Sequence, residues 1–184
     1  MKRLRRALVV VGVLASVAQP AKAHEGQHCA FRLVPLESAG VMTDASPSLV
    51  GCFDTYEQAL EAGIGQAIDA GARITPKTLT DEVLPSPSLI TSVLIGTEYD
   101  GSGFAGASNS YFASTTCTST TTWQVANVGA EWNDRFQSGK GFGGCDTNRK
   151  YQHENFGGTV RTCTPNCSDY GTLSNQVTSL RWRV

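Results

Sequence analysis

Tyr99-Asp100-Gly101-Ser102-Gly103-Phe104-Ala105-Gly106 and Tyr151-Gln152-His153-Glu154-Asn155-Phe156-Gly157-Gly158 are the two stretches that decide the fold. Each runs aromatic, four positions, aromatic, one position, glycine, and the second copy starts 52 residues after the first. A hairpin folded back on itself sets one ring against the far side of its own turn. The glycine then supplies a backbone conformation that a Cβ would obstruct. Self-similarity at a fixed interval marks a repeated supersecondary unit.

Each copy is followed by a second phrase. Trp132-Asn133-Asp134-Arg135-Phe136-Gln137-Ser138 comes after the first, and Leu173-Ser174-Asn175-Gln176-Val177-Thr178-Ser179 after the second. Short apolar or alternating runs surround them, at residues 92–95, 110–113, 122–128, 158–162 and 177–184. Turn residues separate these runs, and none keeps helical periodicity over ten residues. Many short strands at close spacing predict a sandwich of antiparallel sheets.

On these ordered pairs the chain resembles the βγ-crystallin superfamily over about residues 95–184. That family's Greek key carries aromatic-x4-aromatic-x-Gly early and, in microbial members, Asn/Asp-Asn/Asp-x-x-Ser/Thr-Ser late. The resemblance implies a mainly β, double Greek-key sandwich, with Tyr99, Phe104, Gly106, Tyr151, Phe156 and Gly158 as its fold motif. It extends more loosely to small secreted bacterial inhibitors of metalloproteinases.

The resemblance also implies calcium as a ligand, since hard Ca²⁺ takes six to eight oxygens from side chains and carbonyls. Matched residue by residue, one loop offers Asn133, Asp134 and the Arg135 carbonyl. The other offers Ser174, Asn175, the Gln176 carbonyl and the Thr178 hydroxyl. Two positions depart from the pattern: Gln137 replaces a ligand hydroxyl, and Ser174 replaces the first Asn/Asp. With Asp134 as the one acid, weak binding is implied. The same side chains also suit turns, where Asn, Asp and Ser bond their own backbone. The closing serines, Ser138 and Ser179, are assigned to holding the fold.

Residues 1–23 read as a secretory signal. Lys2, Arg3, Arg5 and Arg6 precede an apolar run from Ala7 to Ala18, and Ala21-Lys22-Ala23 gives a small-x-small cleavage pattern. The run is too short to span a hydrocarbon core. Cleavage after Ala23 leaves ten bases against sixteen acids, a net charge near −6. With no basic stripe, nucleic-acid binding is disfavoured. The expected product is a secreted or periplasmic monomer with no membrane attachment after cleavage.

All six cysteines follow the leader, an even count that reads as disulfides made in an oxidising compartment. Six allow 15 pairings. The favoured one is Cys29–Cys52, Cys117–Cys145 and Cys163–Cys167.

Residues 24–90 form a small α+β segment, richer in Leu, Ala and Glu than residues 91–184. Prolines at 85 and 87 mark a linker over residues 84–90. Strands are predicted at 29–36 and 49–53. Thr55 and Gln58 have capping-box spacing for a helix that Gly63 would end. A second short helix is predicted from 76 or 78 to 83.

His24-Glu25-Gly26-Gln27-His28 spells the zinc-protease phrase but holds a glycine and lacks a preceding helix. No Gly-x-Ser-x-Gly elbow occurs. Carboxylate pairs for glycoside cleavage would have to come from Glu98, Asp100, Glu131, Asp134 or Glu154, mostly turn positions. At least two of Trp123, Trp132 and Trp182 are expected in the core. The functional expectation is a non-catalytic exported protein that binds calcium weakly. The alternative is an inhibitor of an extracellular proteinase, presenting residues 114–121 or 140–150 to the enzyme.

Overall fold

The computed structural model describes residues 27–35, 43–68 and 73–184. The leader and the first three residues of the zinc-like phrase lie outside them. The described elements, in chain order, are β1 (His28–Pro35), β2 (Thr43–Phe53), α1 (Tyr56–Ile64), β3 (Val93–Gly101), β4 (Ala105–Ala113), β5 (Trp123–Val125), β6 (Ser138–Gly141), β7 (Thr147–Tyr151), β8 (Val160–Cys163) and β9 (Ser179–Arg183).

The two repeats are Greek keys that exchange a strand. In the first, β6, β3 and β4 lie side by side, the 4-1-2 part of the order expected for that motif. Its third strand, β5, instead pairs with β9 of the second repeat. There β9, β7 and β8 again stand 4-1-2. The third segment of the second repeat returns to the first sheet through a bridge between Cys167 and Gly139. Each sheet therefore takes three strands from one repeat and one segment from the other.

The described residues between 27 and 90 differ in composition from the rest but pack directly against it. β1 and β2 form an antiparallel hairpin. β1 runs parallel to β4 at the edge of the first sheet, and β2 runs parallel to β5 at the edge of the second. The hairpin thus closes one open side of the sandwich. A segment that buries little alone gains its stability by completing sheets that already exist.

Disulfides sit at these seams. Cys29 and Cys52 face each other across the hairpin and are bonded. Cys163, at the end of β8, bonds Cys167 and ties the two sheets on the opposite side. Cys117–Cys145 joins the β4–β5 loop to the β6–β7 turn. This is the pairing favoured from the sequence.

Two hydrophobic clusters result. Between the sheets lie Trp123, Trp132, Trp182, Tyr111, Phe136 and Leu180, all buried. Outside the first sheet, Tyr56, Leu60 and Ile64 of α1 pack with Leu94, Tyr99 and Phe112. All three tryptophans are therefore core residues.

The helix begins as predicted, with Thr55 and Gln58 forming a reciprocal capping box. It runs one turn's fraction further than expected, and the left-handed cap is Gly65, not Gly63. Gly63 is needed for contact: a Cβ there would lie 2.1 Å from the Phe112 ring. We expect Gly63→Ala to cost about 1–3 kcal/mol through overpacking, read as a lower urea midpoint at unchanged slope.

The helix predicted up to residue 83 is replaced by two turns, at 76–78 and 81–83. Thr75 and Thr78 exchange side-chain bonds with each other's backbone N–H groups, which competes with helical bonding. The carbonyls of Lys77 and Leu79 turn to the Lys140 ammonium, at 3.1 Å each.

Candidate functional site

The two aromatic corners repeat one geometry. Tyr99 and Phe104 meet edge to face at 5.9 Å and 67°, and Tyr151 and Phe156 at 5.6 Å and 71°. Phe104 and Phe156 both take positive φ (61° and 63°), as do Gly106 and Gly158 (80° and 75°). Such backbone excludes most side chains and must be held by its surroundings. The closing serines do the holding. Ser138 Oγ accepts from the Phe104 N–H at 3.0 Å and donates to the Gly101 carbonyl at 2.6 Å. Ser179 Oγ repeats this with Phe156 and His153, at 3.1 and 2.7 Å.

A polar cleft of about 670 Å³ opens beside the second corner, lined by Asn133, Asp134, Gln152, Glu154, Gln176 and Thr178 among others. At its floor Thr178 Oγ1 lies 2.6 Å from Asn133 Oδ1 and 2.9 Å from the Gln152 carbonyl oxygen. A hydroxyl carries one hydrogen, so it can satisfy only one of those acceptors at a time. Three hard oxygens thus converge with one proton among them. The Asp134 carboxylate is held beside them by the Asn133 amide, at 2.9 Å. Glu154 adds a second acid to the lining. This donor set of neutral and anionic oxygens fits a hard cation such as calcium.

No family model matches the sequence, and no curated protein matches it either. Among solved structures the chain is similar to a βγ-crystallin domain from Clostridium beijerinckii, at 22% identity and a TM-score of 0.37, over 48% of this chain and 97% of that one. An archaeal βγ-crystallin is similar at 24% identity and a TM-score of 0.35, over 50% and 98% of the two chains. One from Flavobacterium johnsoniae follows at 21% and 0.35, over 48% and 92%. Exchanged Greek keys and paired aromatic corners are features of this chain itself. The fold is βγ-crystallin-like.

Within this βγ-crystallin-like domain the seven calcium candidates divide. Asn133, Asp134, Gln176 and Thr178 line the cleft. Arg135, Ser174 and Asn175 do not. The Ser174 hydroxyl donates to Asp169 Oδ1 at 3.2 Å, and Asn175 occupies a left-handed turn with φ of 60°. Sequence reasoning missed Gln152 and Glu154, which lie on the aromatic corner and not in the late phrase. Both follow Tyr151 within three residues, but the oxygen that Gln152 offers is its main-chain carbonyl.

The equivalent place in the first repeat carries different side chains. Gln137 stands where Thr178 does, its N–H bonded to the Tyr99 carbonyl as Thr178's is to Tyr151's. In the same repeat the Arg135 guanidinium is stacked on Trp132 at 4.6 Å and paired with Asp100 at 2.9 Å. The two repeats therefore differ in side-chain chemistry at matching positions.

Elsewhere, His28 of the zinc-like phrase sits in β1, not on a helix. Its Nδ1 is 2.8 Å from Ser108 Oγ and its ring abuts Tyr56. Burial pushes its pKa below the ordinary histidine value, against an opposing pull from Asp100. Of the two loops considered for proteinase contact, 140–150 is largely strand and tight turn, with Lys140, Phe142, Cys145 and Lys150 buried. Residues 118–120 are exposed.

Proposed function

We propose that this is an exported, non-catalytic βγ-crystallin-like protein that binds one calcium ion weakly in the cleft beside Tyr151 and Phe156. The observation that carries the reading is the convergence of Asn133 Oδ1, Thr178 Oγ1 and the Gln152 carbonyl, with Asp134 adjacent. Asn133, Gln152 and Thr178 would hold the ion by neutral oxygens, and Asp134 and Glu154 would supply charge. A bound cation would relieve the crowding of acceptors around a single hydroxyl proton and fasten the late phrase of one repeat to the corner of the other. Two acids and neutral oxygens correspond to weak extracellular-type affinity, a dissociation constant of about 10⁻⁴–10⁻³ M. Export is supported by the leader pattern and by the three cysteine pairs, which suit an oxidising compartment.

A ligand that binds only the folded state must raise its stability. Ten millimolar calcium is expected to raise the melting temperature of the wild type, and Asp134→Asn to lose most of the rise. Magnesium at the same concentration is expected to do little, since its smaller octahedral shell sheds water reluctantly. An unchanged melting temperature in calcium would remove the proposal.

A further inference from the structure

The outer faces of the two sheets have matching positions but are finished differently. Ser138 and Ser179 are equivalent, so Lys140 on β6 matches Arg181 on β9. Each cation lies over its corner phenylalanine, Lys140 Nζ at 4.8 Å from Phe104 and Arg181 Cζ at 4.4 Å from Phe156. On the first sheet this face is covered: α1 packs there, and the Lys77 and Leu79 carbonyls receive the Lys140 ammonium. The positions matching Thr97, Lys140 and Phe142 on the second sheet are Arg149, Arg181 and Arg183.

These three arginines share one face. Asn148, Lys150, Leu180 and Trp182 are buried between the sheets, so the alternating residues point outward. Register places Arg149 directly opposite Arg181, with Arg183 two residues along the same strand opposite Thr147. Facing Cα atoms in an antiparallel pair are about 4.5–5.5 Å apart, and alternate residues along a strand about 6.8 Å. Three guanidinium forks at that spacing can close on one tetrahedral oxyanion.

Arg181 Nε donates to Gln124 Oε1 at 2.9 Å. Arg149 and Arg183 make no ion pair among the described residues, and the Nε of each is buried without a hydrogen-bond partner. Like charges directly opposed across a sheet are destabilising, and a buried N–H without an acceptor adds to the cost. On the first sheet the chain's own carbonyls meet the matching cation. On the second, Gln124 meets Arg181, and the Nε groups of Arg149 and Arg183 have no acceptor from the chain.

We propose that the outer face of β7 and β9 is an anion site, in which Arg149, Arg181 and Arg183 bind a phosphate or sulfate group. Guanidinium forks match the edges of such groups and form paired charge-assisted bonds to them. The acidic balance of residues 24–184 works against general anion attraction, so binding would be local to this face. The proposal is independent of the calcium cleft.

The test is a titration of the disulfide-bonded protein with sodium sulfate, sodium phosphate and heparin, each at constant ionic strength, following the arginine Nε–Hε resonances by NMR. Saturable shifts at Arg149 and Arg183 are expected. The variant R149Q/R183Q is expected to weaken binding roughly tenfold or more, since each charge-assisted contact is among the stronger hydrogen bonds. Its melting temperature without anion should equal or exceed the wild type's, because opposed charges are gone. Should it fail to fold, Arg183→Lys keeps the charge, loses the fork, and is expected to weaken binding as well. Response to heparin alone assigns the group to a polymer ester, and response to the inorganic ions as well assigns a free oxyanion. No saturable shift with any of the three, or undiminished binding in the variants, overturns the proposal.

Discussion

Lys150→Met is expected to lower the unfolding free energy by about 3–5 kcal/mol, because it strands a carboxylate in the dry centre of the sandwich. Glu98 and Lys150 are both fully buried, one from each sheet. Lys150 Nζ donates to Glu98 Oε1, and the Tyr170 hydroxyl donates to Oε2. Burial pulls the Lys150 pKa below its ordinary value while the Glu98 charge pushes it back up, so each partner depends on the other. Burial also raises the Tyr170 pKa well above the usual phenol value, with the Glu98 charge adding to it, which keeps that hydroxyl a donor. Removing one partner costs far more than removing both, since a matched neutral replacement leaves no uncompensated charge. Lys150→Met/Glu98→Gln should therefore regain most of the loss. Urea denaturation of the wild type, the single and the double variant reads both effects. A single-variant loss below about 1 kcal/mol would mean that water reaches the pair.

Cys117→Ala/Cys145→Ala is the second large effect, at about 3–4 kcal/mol from chain entropy alone. The bond spans 28 residues and joins the loop that crosses between sheets to the turn that separates the repeats. Cys163–Cys167 spans only 4, and its removal is expected to cost about 2 kcal/mol on the same reasoning. Denaturant midpoints of the two double variants test the ranking. Equal losses would show that the short bond acts mainly by tying the sheets together, not by shortening the unfolded loop.

What the sequence revealed was the part of the fold governed by unusual backbone. The aromatic corners were readable because positive φ and edge-to-face rings admit few residue types, and the same rarity made the repeat visible. β6, Ser138–Gly141, was not readable, though all four residues are buried. Its Ser-Gly-Lys-Gly composition carries no apolar alternation. Gly139 and Gly141 are small because Tyr170, Glu98 and Asn148 fill the space above them, a tertiary demand invisible locally. β7, Thr147–Tyr151, was hidden likewise, since its inward residues Asn148 and Lys150 are polar. The hairpin's partners were also out of reach: nothing in residues 28–53 announces pairing with β4 and β5, more than seventy residues away.

The candidate site was legible by half for a related reason. Asn133, Asp134 and Thr178 were marked by side-chain type. Gln152 contributes a main-chain carbonyl, which any residue possesses and no sequence displays. The first repeat's departure was readable at Gln137, but its Arg135–Asp100 pair joins positions 35 residues apart.

Under the proposed function, two equivalent Greek keys carry one calcium site, not two. Isothermal titration of the disulfide-bonded protein with calcium, with amide NMR on the same sample, tests it most directly. One equivalent per chain is expected, with shifts centred on Asn133, Gln152 and Thr178 and little change at Asp100 and Gln137. Two equivalents, or shifts centred on the first repeat's corner, would rule out a single site beside Tyr151 and Phe156.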